Sequence, residues 1–565
     1  MKLKSQINDV IKNAFVKAGI EHEPMSVTEA TKPEFGDYQF NGAMALAKRL
    51  GKNPRQIAEM IMENLDFSGI VVKAQIAGPG FLNLWINPLW IAQQVQSALH
   101  DERLGVSKRE NPIKVVVDYS GPNMAKQMHV GHLRSTIIGD TLANLLTFLG
   151  DEVIRQNHIG DWGTQFGMLI AYLEETDEDG SGSLKDLEQF YKDAKERFDA
   201  DKAFADKARE YVVKIQGGDE HCLKLWQKFI DISLRHCEDV YDKLCVKLTR
   251  DDVKAESFYN KDLPEVIEEL LEKNMLTKSD GAQCIFIEDE EIPVIVQKGD
   301  GGYLYATTDL AALRYRANVL EAKRIAYVVD ARQGGHFKQV FKVAKESGFV
   351  PEDVKLEHIA FGTMMDKSGK PFKTRDGGTV KLIDLLDEAV VKAKGAIKDK
   401  EGYSEEEVEA LAKIIGIGAV KYADLAINRE SNYIFNWDKM LSFDGNTSLY
   451  MQYAYARIQS IFRKFNGEIK GDIVIGDALE HRLSVMLLRF EDMLESAADN
   501  ATPNQITAYL YDLATLFMRF YEHNPILKEG VDEKTKMSRL QLSDLTAKTI
   551  KQGLDILGIE VVDRL

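Results

Sequence analysis

The sequence is poor in cysteine and contains no long apolar run. Its four cysteines, Cys222, Cys237, Cys245 and Cys284, form no CxxC pair, so we interpret them as reduced structural residues and predict no metal site. No stretch reaches the roughly 18 apolar residues of a membrane helix. Residues 1–20 also lack a signal-peptide core. We therefore expect a cytoplasmic protein with no membrane partner.

Basic residues are outnumbered as well, because 72 lysines and arginines stand against 89 aspartates and glutamates, giving a net charge of −17. Such an acidic chain is not expected to bind nucleic acids indiscriminately, although a local basic face can still bind RNA. A hydrophobic content of 44% and a charged content of 28% are typical of a soluble globular enzyme. The length of 565 residues predicts several domains.

One stretch predicts the centre of the fold. Residues 115–117 are three valines, typical of a strand that is buried on both faces in a parallel sheet. Residues 120–123 favour a turn, and apolar residues at helical spacing predict a helix over about residues 130–150. A second strand is predicted at residues 153–154. This order forms a βαβ unit, whose ligand is expected above the carboxyl end of the first strand.

The predicted loop and first helical turn contain the segment His129-Val130-Gly131-His132. Free N–H groups at a helix start favour an anion, and two imidazoles on one side add hydrogen-bond donors that can strengthen at a reacting phosphorus. Gly131 lets a flat nucleoside pack against the backbone. Either histidine alone is more simply a helix cap or a partner of buried polar groups. The pair in this setting favours a nucleotide site.

The segment DYSGPNMAKQMHVGHLRST, residues 118–136, resembles the HIGH-signature region of class I aminoacyl-tRNA synthetases, and of arginyl-tRNA synthetases in particular. The segment GDWGTQFG, residues 160–167, is similar to that family too, and the resemblance extends over essentially the whole chain. It implies a Rossmann-type catalytic domain in an α/β protein. It further implies ATP with Mg²⁺, L-arginine and tRNA(Arg) as substrates, and activation that needs bound tRNA. We expect a monomer.

Four segments are predicted. Residues 1–110 form an α+β domain that resembles the N-terminal add-on domain contacting the tRNA elbow; a plain packing domain is the alternative. Residues 111–385 form the Rossmann catalytic domain, with a helical insertion at about residues 174–273. Residues 386–445 form a helical link. Residues 446–565 resemble the α-helical anticodon-binding domain. Its tyrosines could stack on anticodon bases, but most of them are expected to belong to the helix core.

An arginine substrate has a planar, permanently charged guanidinium that requires carboxylates in a fixed geometry. Asp118, after the first strand, and Asp309, near a helix predicted at residues 310–316, are the candidates, and Tyr305 lies four residues before Asp309. From the residues alone, Asp118 is equally a loop cap and Asp309 a helix N-terminal charge. The resemblance implies an arginine-binding set of Asp118, Gly121, Pro122, Asn123, His132, Tyr305, Asp309 and Gln333.

The second class I signature, KMSK, is replaced here by DKSGKPFKTR at residues 366–375. Its cations still suit pyrophosphate, and Lys126 is a candidate substitute for the missing lysine. The predicted catalytic residues are His129, His132, Lys126, Lys373 and Arg375. The predicted ATP-binding residues are His129, Gly131, His132, Met364, Met365 and Lys370.

Three alternatives are weighed against this interpretation. The segment KMSR at residues 536–539 matches KMSK by letters, but its predicted place in the C-terminal helical domain excludes a catalytic role. Another adenylyl transferase acting on a small acid would not need the two flanking domains. A non-catalytic tRNA-binding relative would not need His129, His132, Asp118 and Asp309.

Overall fold

The computed structural model describes residues 2–21, 25–176, 187–288, 290–372, 380–397 and 402–565. The chain forms two compact units. The first consists of Met1–Lys108, Phe443–Asp555 and Glu560–Leu565, and the second of Arg109–Ser442 and Ile556–Ile559. Among the helices in these described ranges, none is long and apolar enough to cross a membrane.

The N-terminal part of the first unit contains an antiparallel sheet. In spatial order its strands are Thr28–Glu29, Tyr38–Phe40, Phe81–Ile86 and Val71–Ala77. The last two form a hairpin around residues 78–80, where Gly78 and Gly80 adopt positive φ angles that favour glycine. The accompanying helices are Leu3–Lys17, Ala43–Leu50, Pro54–Glu63 and Pro88–His100.

The C-terminal part of the first unit is helical, as the sequence predicts. Its helices are Ser448–Phe465, Ala478–Leu488, Phe490–Asn500, Asn504–His523 and Glu533–Ile556, the last of which ends in the second unit. Apolar residues at helical spacing form its core, including Leu449, Ile458, Leu510 and Phe517, which are fully buried.

The second unit is built on a parallel sheet of strands β1 (Lys114–Asp118), β2 (Glu152–Gln156), β3 (Arg324–Tyr327) and β4 (Lys355–His358). The spatial order is β4-β3-β1-β2. Val115, Val116 and Val117 are fully buried, as expected for a central strand covered on both faces. The register pairs Asp118 with Tyr327 and with Gln156, so the strands end at one edge.

Helices cover this sheet and form the predicted insertion. Those used below are α1 (Leu133–Leu149), α2 (Tyr305–Asn318), α3 (Gly334–Glu346) and α4 (Glu405–Leu425). The other α-helices are Thr164–Thr176, Leu187–Ala200, Lys202–Gln216, Glu220–Lys243, Leu263–Glu272, Leu382–Ile397 and Trp437–Met440. Among the short strands, Ala282–Ile285 pairs with Thr277–Ser279 on one side and with Val294–Gln297 on the other, and Met364–Met365 pairs with Tyr433–Ile434.

Helix α2 differs from the sequence-based expectation. The sequence predicts a helix over residues 310–316, whereas α2 begins at Tyr305. The reason is tertiary: the side chain of Thr307 is buried and donates a hydrogen bond to the carbonyl of Val296, which holds Thr307 in the first helical turn. Asp309 consequently lies in the second turn of α2. It is therefore not a charge at the N-terminus of the helix.

Candidate active site

The turn after β1 is held by hydrogen bonds to three neighbouring segments. Ser120 and Gly121 adopt positive φ angles of 74° and 51°. The Ser120 N–H donates to Ser135 Oγ at 2.9 Å, and Ser135 Oγ donates to the Val328 carbonyl at 2.6 Å. The Gly121 N–H donates to Asn157 Oδ1 at 2.9 Å. The carboxyl end of β1 is therefore fixed against α1 and the segment after β3.

The two signature histidines lie together at the start of α1, in a 3₁₀ turn at Val130–His132. Their ring centroids are 4.1 Å apart. Nδ1 of His129 accepts the Gly131 N–H at 3.0 Å, and Nδ1 of His132 accepts the His129 N–H at 3.1 Å. Because Nδ1 of His129 accepts, the proton of its neutral imidazole is assigned to Nε2. Nδ1 of His132 also lies 3.3 Å from the His129 carbonyl, so its contacts suit either tautomer.

Both imidazoles are held in the neutral form. Burial, followed by the charge of Lys126, lowers the pKa of His129. Burial, followed by the charge of His129, lowers the pKa of His132 to about 4. Gly131 has no room for a side chain, since a Cβ there would lie 2.7 Å from the His129 ring. The turn therefore offers two neutral N–H donors beside a bare backbone.

A cavity of about 430 Å³ opens beside this turn. The predicted site residues that line it are Asp118, Gly121, His129, Gly131, His132, Tyr305, Asp309 and Gln333. Pro122, Asn123, Lys126, Met364, Met365 and Lys370 do not line it. Lys373 and Arg375 lie outside the described residues. The structure thus brings Asp118 and Asp309, the two acids predicted to bind arginine, into one cavity with the histidine pair.

Asp118 already has a cationic partner from the protein. Arg316 of α2 is fully buried, and its Nη2 lies 2.8 Å from Asp118 Oδ2. Arg316 Nε also donates to Gln156 Oε1 at 2.6 Å, and the His158 N–H donates to Asp118 Oδ1 at 3.3 Å. The negative charge of Asp118 is therefore largely compensated by Arg316.

Asp309 faces the cavity from the same side of α2. Its Oδ2 lies 2.6 Å from Nε2 of His336, at the start of α3, and the ring of Tyr305 contacts the ring of His336 at 4.8 Å. Tyr305, Asp309 and Arg316 are separated by four and seven residues, which places all three on one helix face. This spacing is the sequence signal that would have revealed Arg316.

Glu256 is a cavity residue that the sequence analysis missed. It begins a 3₁₀ turn, Glu256–Tyr259, and lines the cavity with Asp118 and Asp309. Burial, followed by the charges of Asp161 and Asp309, raises its pKa to about 7. No local motif marks Glu256, because it lies in a charged helical region some 50 residues before α2.

Arg134, two residues after His132, joins the start of α1 to the segment before Met364–Met365. It is buried, and its Nε lies 3.1 Å from the buried Asp424 of α4. Its Nη1 donates to the carbonyls of Gly362 at 2.8 Å and Ser431 at 2.9 Å. The histidine turn, Val130–His132, and this segment are thus both held by the Arg134 guanidinium.

The predicted ATP segment is described as far as residue 372. Met364 is buried, and the strand Met364–Met365 pairs with Tyr433–Ile434. The N–H of Lys370 donates to Asp366 Oδ1 at 3.0 Å, and the Lys370 side chain is exposed. Lys126 lies with its Nζ 4.9 Å from the ring of Tyr191.

The segment at residues 536–539 is part of the helical core of the first unit. Met537 and Ser538 are buried, Ser538 Oγ donates to the Val474 carbonyl, and Arg539 pairs with Glu480 at 2.8 Å. These contacts show that the segment packs within the helical core.

Among the described residues, no group of three or more His, Cys, Asp or Glu side chains is arranged to hold a metal ion.

Three family models match the chain. The model described as "tRNA synthetases class I (R), catalytic domain" matches residues 94–437, the DALR anticodon binding domain matches residues 451–565, and the arginyl tRNA synthetase N terminal domain matches residues 1–86. The arginine–tRNA ligases of Chromobacterium violaceum and Cellvibrio japonicus are each 52% identical, with 100% of both chains covered.

Solved structures of arginyl-tRNA synthetases resemble the chain as well. The crystal structure of arginyl-tRNA synthetase from Plasmodium falciparum superposes with a TM-score of 0.89 at 31% identity, over 100% of both chains. The Thermus thermophilus arginyl-tRNA synthetase, at 23% identity and a TM-score of 0.84, has the same fold over 100% of both chains. With the family models and the 52% identical relatives, these matches place the chain in the arginyl-tRNA synthetase family of class I tRNA synthetases.

Proposed function

We propose that this protein activates L-arginine with ATP and transfers the arginyl group to the 3′ end of tRNA(Arg). Curated relatives of 52% identity are arginine–tRNA ligases, and membership of the family implies the use of ATP. The observation that carries the proposal is the single cavity that holds the neutral His129–His132 pair together with Asp309 and Tyr305. Donors suited to a phosphate and an acid suited to a guanidinium thus share one site.

In this reaction a carboxylate oxygen of arginine attacks the α-phosphorus of ATP, and pyrophosphate leaves. The 3′-terminal ribose hydroxyl of the tRNA then attacks the carbonyl carbon of arginyl-adenylate, and AMP leaves. No covalent protein nucleophile is needed, so the protein positions the reactants and stabilises charge. The imidazole N–H groups of His129 and His132 are the donors that we assign to the reacting phosphate.

The arginine subsite is assigned by chemistry. Asp309 binds the guanidinium, Tyr305 packs against its plane, and Asn123 and Gln333 bind the α-amino and α-carboxylate groups. Asp118, Gly121, Pro122 and His132 complete the proposed set. Asp118, Gly121, His132 and Gln333 line the cavity, which supports their inclusion.

The pyrophosphate is assigned to Lys126, Lys370, Lys373 and Arg375, with Met364 and Met365 beside the nucleotide. Support comes from Arg134, which joins the histidine turn to the segment before Met364. We propose that Mg²⁺ enters as the ATP complex, because Mg²⁺ keeps several waters and is commonly held with substrate phosphates rather than by an all-protein cage.

We also propose that the first unit binds tRNA(Arg), through the add-on domain and the anticodon-binding helices, and that the protein acts as a monomer in the cytoplasm. Sedimentation equilibrium of the purified protein tests the monomer.

The direct test is arginine-dependent ATP–pyrophosphate exchange, measured with and without tRNA(Arg). We expect exchange that requires arginine and is strongly stimulated by the tRNA. Exchange that depends on another small acid would instead indicate an adenylyl transferase with a different substrate. Binding of tRNA without any exchange would indicate a non-catalytic relative.

A further inference from the structure

A second cavity lies within the first unit, between its N-terminal sheet and its C-terminal helices. Its volume is about 790 Å³, within the range of ~300–1,000 Å³ that is typical of ligand sites. One wall comes from residues 30–37 and from the strands Val71–Ala77 and Phe81–Ile86. The other wall comes chiefly from the helices Ala478–Leu488 and Asn504–His523. None of the site residues assigned above lines this cavity.

Polar contacts tie the two walls together. Nε2 of His481 lies 2.9 Å from Asp37 Oδ1, and Nη2 of Arg489 donates to the Asp37 carbonyl at 2.9 Å. Nη1 of Arg489 also pairs with Glu29 at 3.0 Å. The charges of Asp37, Arg489 and Glu29 are therefore already compensated, and the distance between the walls is fixed. The cavity is thus preformed.

Three cations line the cavity without a carboxylate partner among the residues that the structure describes, namely Lys73, Arg482 and Arg519. The two arginines extend from the two helices of the second wall, and both are exposed. Asp477 is occupied as the N-cap of the helix that begins at residue 478, which leaves Asp512 as the acid of this wall without a partner. In a chain of net charge −17, such a local excess of cations indicates an anionic ligand.

Trp85 supplies an aromatic surface beside these cations. Nζ of Lys73 lies 4.3 Å from the centroid of the Trp85 ring. The backbone of Gly36, whose φ is 87°, packs against the same ring, because a Cβ there would lie 3.1 Å from it. Stacking of a base on an aromatic side chain outweighs an exposed cation–π contact. A base can therefore replace the flexible Lys73 side chain, whose ammonium group then becomes free to pair with a phosphate.

We propose that this cavity binds one unpaired nucleotide of tRNA(Arg) jointly from the N-terminal sheet and the C-terminal helices. The base stacks on Trp85, and the flanking phosphates pair with Arg482 and Arg519. Asp512 accepts a hydrogen bond from an amino group of the base. This inference rests on the proposed function and adds to it a nucleotide site that neither part of the first unit forms alone.

The first test measures the binding of tRNA(Arg) to the full-length chain at several salt concentrations. Arg482→Gln/Arg519→Gln should bind at least tenfold more weakly. The slope of log K against log salt should fall by about 1.4–1.8, the contribution of two phosphate contacts. The charge-matched control Lys17→Gln/Lys551→Gln removes two exposed cations of the same unit outside the cavity and should keep the wild-type slope and affinity within twofold.

A second test reports the stacked base. Binding of tRNA(Arg) should quench tryptophan emission in the wild-type protein, and Trp85→Phe should lose part of this quenching while it keeps affinity within about threefold, since phenylalanine still stacks. Trp85→Ala should bind at least tenfold more weakly, with a thermal unfolding midpoint close to that of Trp85→Phe as the check on folding.

Equal quenching in wild type and Trp85→Phe, or tRNA affinity of Arg482→Gln/Arg519→Gln within twofold of wild type, would overturn the inference. Micromolar binding of free AMP, with the same loss of quenching in Trp85→Phe, would overturn tRNA as the occupant. Failure of the proposed function would appear differently, as no arginine-dependent exchange by the wild-type protein.

Discussion

At the scale of single residues, the site depends on protonation states that the fold imposes. His129 uses Nδ1 as the acceptor of a backbone N–H group, and burial lowers the pKa of both His129 and His132. Neutral imidazoles can donate a hydrogen bond without bringing a positive charge into a buried turn. The sequence motif supplies the two rings, and the backbone of the turn places the proton of His129 on Nε2.

Replacing either histidine should slow adenylation without affecting tRNA affinity. Removing one preorganised donor to a transition state typically costs roughly 100- to 1,000-fold in rate. We expect a loss of this order in ATP–pyrophosphate exchange for His129→Ala and for His132→Ala, with tRNA(Arg) binding by filter retention nearly unchanged. Collapse of tRNA binding in both variants would contradict the assigned role.

Asp309→Ala should weaken the use of arginine at least tenfold. A hydrogen bond to a charged group contributes about 1.5–3 kcal/mol, and the variant also frees His336 from its partner. The measurement is the KM for arginine in exchange, with the KM for ATP as the internal comparison. Glu268→Ala serves as the control, and equal increases in both KM values would indicate general damage.

At the scale of elements, the second unit, which contains the candidate active site and is called the catalytic unit below, joins distant segments through buried charged side chains. Arg134, at the start of α1, pairs with Asp424 of α4 and donates to the Gly362 and Ser431 carbonyls. These partners lie 228 to 297 residues from Arg134 in the sequence. The histidine turn is thereby held beside the strand Met364–Met365.

Arg134→Met should destabilise the catalytic unit by about 3–5 kcal/mol, the usual cost of leaving one member of a buried ion pair without its partner. Urea unfolding followed by tryptophan fluorescence measures the change. The double variant Arg134→Met/Asp424→Leu removes the orphaned carboxylate as well and should regain part of the lost stability. A double variant less stable than Arg134→Met would refute this account.

At the scale of the whole molecule, the chain returns to the catalytic unit near its C-terminus. Residues 556–559 belong to the second unit, whereas the residues on either side belong to the first. The buried Lys421 of α4 donates to the Gly558 carbonyl at 2.7 Å and to the Leu244 carbonyl at 2.6 Å. The Lys421 ammonium group, with Asn144 Nδ2, which donates to the Ile556 carbonyl at 3.4 Å, thus fastens this late segment to the second unit.

Lys421→Met should loosen this segment, because two carbonyls lose a charged donor and an unsatisfied buried group costs about 1–3 kcal/mol. Amide hydrogen exchange, followed by mass spectrometry, should become faster in peptides covering residues 556–559. Lys413→Met, an exposed position on the same helix, provides the control. Unaltered exchange in Lys421→Met would mean that contacts other than the Lys421 ammonium hold the segment.

The family, the class I fold and the helical C-terminal domain are confirmed by the family models and the structural neighbours. The βαβ unit follows from local pattern, since a valine run, a turn and an apolar helical face lie next to one another in the chain. The assigned roles of individual site residues stay predictions. Their grouping in one cavity is what the structure adds.

By itself the sequence determined the central strand, the histidine turn and the helical segments, because each depends on neighbours within a few residues. Tertiary structure alone decided that α2 begins at Tyr305, that Arg316 neutralises Asp118, and that Glu256 shares a cavity with Asp309. These features arise from side chains far apart in sequence. Their charges and pKa values are set by burial, which no local pattern encodes.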